Sequence, residues 1–304
     1  MTMKPLAGAM LLAFTMGPVA ASIAQTAART DPLYRSKGDQ KRSYQFAPTG
    51  ERLPYRVYVP MTWRPGMKLP LVVVLHGGGL TEDAPFDRTP LPMKDELQTL
   101  AEQFSFIVVS PSGFNKFAAF AAGNGLPLSG VSQSQLPGGM PRPPGQPVPV
   151  FTGNDLNPKA SEYSEQDVMN VIGIVEKEYG VDKSREFITG NSMGGTGTVL
   201  LAAKYPEKWL AMAPSEAGYD PERFGKKPFQ LKGALYIRKA EGNGPNVEAQ
   251  TGKMISLLKE EGVDARSVVL PDTVHETVWF YALPLAFHFF DTFVHPPLED
   301  ATTK

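Results

Sequence analysis

The stretch Gly190-Asn191-Ser192-Met193-Gly194 sets a serine between two glycines, each two residues away. Phe187, Ile188 and Thr189 suit a strand, and from Met193 onward Val199, Leu200 and Ala203 share one side of a helical pattern. Ser192 therefore falls on a strand-to-helix turn, where Gly-x-Ser-x-Gly raises a hydroxyl above the end of a sheet. Such a turn is strained and approaches other chain closely, so its neighbours must be small. The start of the following helix favours the negative charge that develops when a serine attacks a carbonyl. Phosphate-binding readings of these glycines fail. A P-loop needs a lysine followed by Ser or Thr, and a dinucleotide fingerprint would need a third glycine where Leu200 stands.

His76-Gly77-Gly78-Gly79 follows the apolar run Leu71–Leu75. Successive glycines let backbone N–H groups face inward without side-chain obstruction. The N–H groups of Gly78 and Gly79, with that of Met193, are the expected donors to the oxyanion of a tetrahedral intermediate. His76 itself is expected to order this loop. A base is also required, and the chain has four histidines. His288 and His295 lie in or beyond a terminal helix among aromatic residues and read as packing or surface positions. His275 lies on a loop after the last strand, from which an imidazole reaches back across the strand ends to a serine.

The elements that must position these groups follow from pattern. Residues 42–60 read as two strands about the turn Pro48-Thr49-Gly50. Leu71–Leu75 and "FIVVSP" read as strands covered on both faces. Met93–Phe104 reads as a helix. A longer helix is expected from a capping Ser164, with Val168, Val171, Ile172, Val175 and Tyr179 at helical spacing and Gly180 as its stop. Further strands are expected at "WLAMAP", "GALYIR" and "RSVVLP", and helices at Val247–Glu261 and over 276–294. Strands alternating with helices predict a mainly parallel twisted α/β sheet with helices on both faces, opened by two antiparallel strands.

One region interrupts the alternation. Between Gly123 and Pro158, 15 of 36 residues are Gly or Pro. This insertion, taken as 113–158, leaves the C-terminal end of a strand, where open α/β sheets bind ligands; a surface excursion and a wall over the site are both open readings.

A net charge of −1 gives no electrostatic case for nucleic acid, and the absence of cysteine excludes disulfides, thiolate metal sites and a cysteine nucleophile. Lys4, the apolar run from Leu6 to Ala20 and the small residues near Ala24 read as a signal peptide over 1–24. Residues 25–40 are expected to be loose, the main domain to span 41–296 and a tail to follow at 297–304. A secreted or periplasmic protein is expected, with no stable membrane insertion after signal cleavage.

Together these motifs resemble the α/β-hydrolase fold. The stretch 182–218, "DKSREFITGNSMGGTGTVLLAAKYPEKWLAMAPSEAG", is similar to secreted esterases of the prolyl-oligopeptidase-like, polyhydroxybutyrate-depolymerase or feruloyl-esterase-like group. The resemblance spans most of 42–294 and is strongest over 181–218. It implies hydrolysis of a small or polymeric ester, or of an amide, through an acyl-enzyme and with no cofactor. It also implies an acid after "GALYIR", where this chain has Asn243. Glu241, two residues earlier, is the preferred acid. Glu216 after "WLAMAP" is the second candidate, Asn243 an uncharged orienter, and Asp272 a turn residue. A serine esterase built on Ser192, His275 and Glu241 is the expected function; a catalytically silent binding protein and a peptidase are the alternatives.

Overall fold

The structure, a computed structural model, describes residues 32–87, 96–117, 120, 154, 157–218, 229–240, 245–275 and 277–296. The expected signal peptide at 1–24, most of the insertion, the 297–304 tail, Glu241 and Asn243 lie outside the described residues. Two compact units are distinguished, 1–35 and 36–304. Of the first, only a turn at 32–35 is described.

The second unit is built on an eight-stranded sheet in the order β1-β2-β4-β3-β5-β6-β7-β8. Its strands are β1 Gly38–Phe46, β2 Glu51–Val59, β3 Leu71–Leu75, β4 Ile107–Pro111, β5 Glu186–Asn191, β6 Ala211–Ser215, β7 Gly233–Lys239 and β8 Asp264–Leu270. The β1–β2 and β2–β4 pairs are antiparallel and the others parallel. The hairpin is longer than its sequence signal, because β1 starts at Gly38 inside the stretch read as loose.

Among the described residues, six helices accompany the strands: α1 Ala84–Asp87, α2 Glu96–Phe104, α3 Ala160–Tyr179, α4 Met193–Lys204, α5 Pro245–Glu260 and α6 Val278–Asp291. Strand alternation assigns them to two faces. Leu71, Val73 and Leu75 pack with Val168, Val171 and Ile172 of α3, Val199 of α4 and Leu258 of α5. Val72 and Val74 point the other way, into a core with Leu97 of α2 and Phe287 and Phe290 of α6. All five β3 residues are fully buried, as a continuous apolar run requires. At about 25 cal/mol per Å² of apolar surface removed from water, these two cores supply most of what holds the sheet.

Two local details bear on the site. Helix α3 starts at Ala160, so Ser164 is a buried interior residue and not the cap expected from sequence. Its stop is the expected one: Gly180 takes a left-handed φ of 67° and its N–H donates to the Glu176 carbonyl. Near its C-terminal end helix α6 is anchored by Phe290 stacked on Phe187 of β5, ring centroids 4.7 Å apart. Among the described residues no helix is long and apolar enough to cross a membrane.

Candidate active site

Ser192 stands between β5 and α4 with φ 57° and ψ −114°, a conformation a non-glycine residue holds only when its surroundings impose it. The constraint is visible at three glycines. A Cβ on Gly190 would lie 2.5 Å from the Gly194 backbone, and one on Gly194 2.2 Å from the Leu75 carbonyl oxygen. One on Gly195 would lie 2.2 Å from the Ser215 carbonyl oxygen. The Ser192 N–H donates to that same Ser215 oxygen at 2.9 Å, so the turn is tied to β6 as well as squeezed against β3.

Across the strand ends, Ser192 Oγ lies 3.0 Å from His275 Nε2. His275 sits on the 271–277 loop, which Thr273 and Thr277 hold through hydrogen bonds to Leu270 and Val274. Its Nδ1 lies 3.3 Å from Oε2 of Glu216. The Glu216 carboxylate is buried, and its other oxygen accepts the Lys239 N–H at 2.8 Å. Glu216 directly follows β6 and has φ 51°, a second strained non-glycine position in the same place.

The structure therefore brings Ser192, His275 and Glu216 together. The carboxylate on His275 is the second candidate, Glu216, from the end of β6, the strand next to β5; the preferred acid Glu241, on the loop after β7, lies outside the described residues. Because Asn191 pairs in register with Ser215, Glu216 lies one strand away from Ser192 and a glutamate's extra methylene spans the gap. Asp272 takes a left-handed φ of 55° in the turn after β8. His288 packs edge-on against Phe104, and His295 meets Asp291.

The His76–Gly79 loop stands beside the serine. Gly77 and Gly78 line the same pocket as Ser192 and His275, and a Cβ on Gly78 would touch Met193 at 3.8 Å. Neither the Gly78 nor the Met193 N–H donates to a described residue, and Met193, first in α4, has no intrahelical acceptor. Gly79 corrects the expectation for it: its N–H is spent on the Lys116 carbonyl at 2.8 Å. Gly77, not among the expected donors, stands nearer the serine instead. The His76 ring is almost wholly enclosed, with Nε2 2.9 Å from the Ser112 carbonyl and Nδ1 2.9 Å from its own neighbour's. Burial pulls its pKa down against the pull of these two carbonyls, and its contacts make its role structural.

The pocket has a volume of about 190 Å³, with Leu80, Pro85, Trp279 and Phe280 as apolar walls. A dry cavity of about 150 Å³ suffices for one benzene ring, so this space matches a short acyl chain or a single ring.

Over residues 152–242, less than a third of its 304, the chain matches the family "Putative esterase"; the match includes Ser192 and Glu216. No curated protein matches it significantly. The Staphylococcus aureus fluorophosphonate-binding serine hydrolase F, with substrate bound, is similar in structure at a TM-score of 0.58 and 14% identity. That similarity covers 84% of this chain and 98% of that one. An IroE-like serine hydrolase from Shewanella oneidensis gives a TM-score of 0.59 at 14% identity over 84% of this chain and 81% of that one. A mutant feruloyl esterase module from Clostridium thermocellum, complexed with sinapinate, gives 0.52 at 18% identity over 82% and 88%. The chain has the α/β-hydrolase fold, and its similarity over residues 152–242 is to the family "Putative esterase".

Proposed function

We propose that the protein is an exported serine esterase that hydrolyses small carboxylic esters through an acyl-enzyme. The observation that carries this reading is the unbroken chain from hydroxyl to imidazole to buried carboxylate, at 3.0 and 3.3 Å, at the rim of an apolar pocket. His275 Nε2 takes the Ser192 proton as Oγ bonds to the ester carbonyl carbon. The N–H groups of Met193 and Gly78, with Gly77 beside them, receive the oxyanion. Collapse of the tetrahedral intermediate expels the alcohol, which takes the proton from the imidazolium. A water activated by the same imidazole then releases the acid and restores the hydroxyl. Glu216 fixes the ring so that Nε2 faces the serine and stabilises its charged form.

A catalytically silent binding protein would not need an acid on the imidazole, and Glu216 supplies one. The pocket size supports short acyl or single-ring esters over bulky chains. Export is supported by the signal-like first 24 residues, and predicts a mature chain that begins at Gln25. The test is turnover of p-nitrophenyl acetate by wild type, Ser192→Ala and His275→Ala. The proposal expects hydrolysis that falls by about 10³-fold or more in either variant. Rates in the variants equal to wild type would refute it.

A further inference from the structure

We propose that the segment after β4, Ser112–Lys116, holds the oxyanion loop in its working shape, with Asp167 and His76 as the positioning residues that act through it. This rests on the serine esterase reading above and adds to it the groups that set the donors.

The loop is tied to this segment at two points. At its start the His76 ring meets the Ser112 carbonyl, Nε2 to oxygen 2.9 Å, and at its end the Gly79 N–H donates to the Lys116 carbonyl at 2.8 Å. Between these ties lie Gly77 and Gly78, the residues that face Ser192. The segment does not hold its own shape. Gly113 and Phe114 have left-handed φ values of 72° and 61°, and Phe120 shares that conformation at 60°. Gly113 adopts this conformation freely, but Phe114 and Phe120 are non-glycine residues that hold it only where something outside them fixes the backbone.

Asp167 is that fixture. It is wholly buried on α3, and three donors converge on its carboxylate. They are the Gly113 N–H at 2.7 Å, the Ser112 hydroxyl at 3.2 Å and the Tyr44 hydroxyl at 2.7 Å. Phe120 closes the arrangement: a Cβ on Gly113 would lie 2.5 Å from its ring, and the same ring meets His76 edge-on at a centroid distance of 4.8 Å. A continuous path of contacts thus runs from α3 through Ser112 and His76 to Gly77. A loop displaced by about 1 Å weakens its hydrogen bonds to a developing oxyanion while leaving contacts to the ground-state ester largely intact. The insertion at 113–158 begins on this segment, so whatever alters its root also bears on the donors.

The experiment compares Asp167→Asn, Asp167→Ala, His76→Gln and His76→Ala with wild type. It measures kcat and KM on p-nitrophenyl acetate, affinity for a trifluoromethyl ketone as transition-state analogue, and melting temperature. The Ala variants are expected to lose about 30- to 100-fold in kcat, with KM changed less than about threefold. Analogue affinity should fall in proportion. Asn and Gln, which keep part of the hydrogen bonding, should lose only about 3- to 10-fold. If the Ala variants fail to fold, the Asn and Gln pair decides: kcat and analogue affinity falling together support the proposal. Folded variants with a lower melting temperature but wild-type kcat and analogue affinity overturn it, and leave the esterase reading standing. A wild-type protein with no ester turnover overturns both.

Discussion

Nδ1 of His275 lies 3.3 Å from Oε2 of Glu216, a residue at the end of β6 whose own backbone is held in a left-handed conformation. The second carboxylate oxygen is fixed by the Lys239 N–H, so the acid is oriented by the strand on its far side, β7. Glu216→Gln keeps the shape and removes the charge. Turnover of p-nitrophenyl acetate should fall by about 10³- to 10⁴-fold, while Glu241→Gln should stay within about twofold of wild type. The reverse order of these two variants would return the role to the loop after β7.

The described glycines divide into those that space requires and those it does not. Gly194→Ala drives a Cβ to 2.2 Å from the Leu75 carbonyl oxygen and 2.6 Å from that of His76, both backbone atoms that cannot swing aside. A loss of about 3 kcal/mol is expected, read as a lower denaturant midpoint. Gly173→Ala in α3 meets nothing within 4 Å and should instead gain about 0.5–1 kcal/mol. Equal effects at the two positions would contradict the crowding described here.

Burial, with the neighbouring Glu176 acting in the same direction, pushes the Glu186 carboxyl up to about 7, although Lys208 lies 2.6 Å away. A folded-state value above the ordinary 4.5 means that the native protein holds a proton the unfolded chain has released. This contribution to stability is complete below about pH 4.5 and is lost as the pH rises to about 7. Asp167, raised to about 6 by burial, adds in the same direction over a lower window. Glu186→Gln should therefore melt progressively higher relative to wild type as the pH is raised from 4.5 to 7, with no further change above. A melting difference independent of pH would show that Glu186 is ionised throughout.

The fold and two of the three chained residues were legible because their signals are local. Gly-x-Ser-x-Gly between a strand and a helix locates Ser192, and one histidine of four lies on the loop after the last strand. The acid was not legible in this way, because reach across neighbouring strands is set by register. The pairing of Asn191 with Ser215 makes Glu216 the in-register neighbour of Ser192, a relation that appears only once β5 and β6 are aligned. Gly79 was misjudged for a similar reason: its acceptor, Lys116, belongs to a different strand's loop. Asp167 carries a readable signal. It is a carboxylate placed directly before Val168 on the buried side of α3, where a polar residue needs partners. Ser164 misled because it satisfies a capping pattern while the helix begins four residues earlier, at Ala160.

The central claim is that the Ser192 oxygen is an activated nucleophile open to an incoming electrophile. Incubation with a fluorophosphonate at neutral pH, followed by mapping of the adduct by mass spectrometry, tests it most directly. The account predicts one adduct per chain, on the peptide that contains Ser192, absent in Ser192→Ala and formed far more slowly in His275→Gln. A folded wild-type protein that takes up no label, or takes it up on another residue, would contradict it.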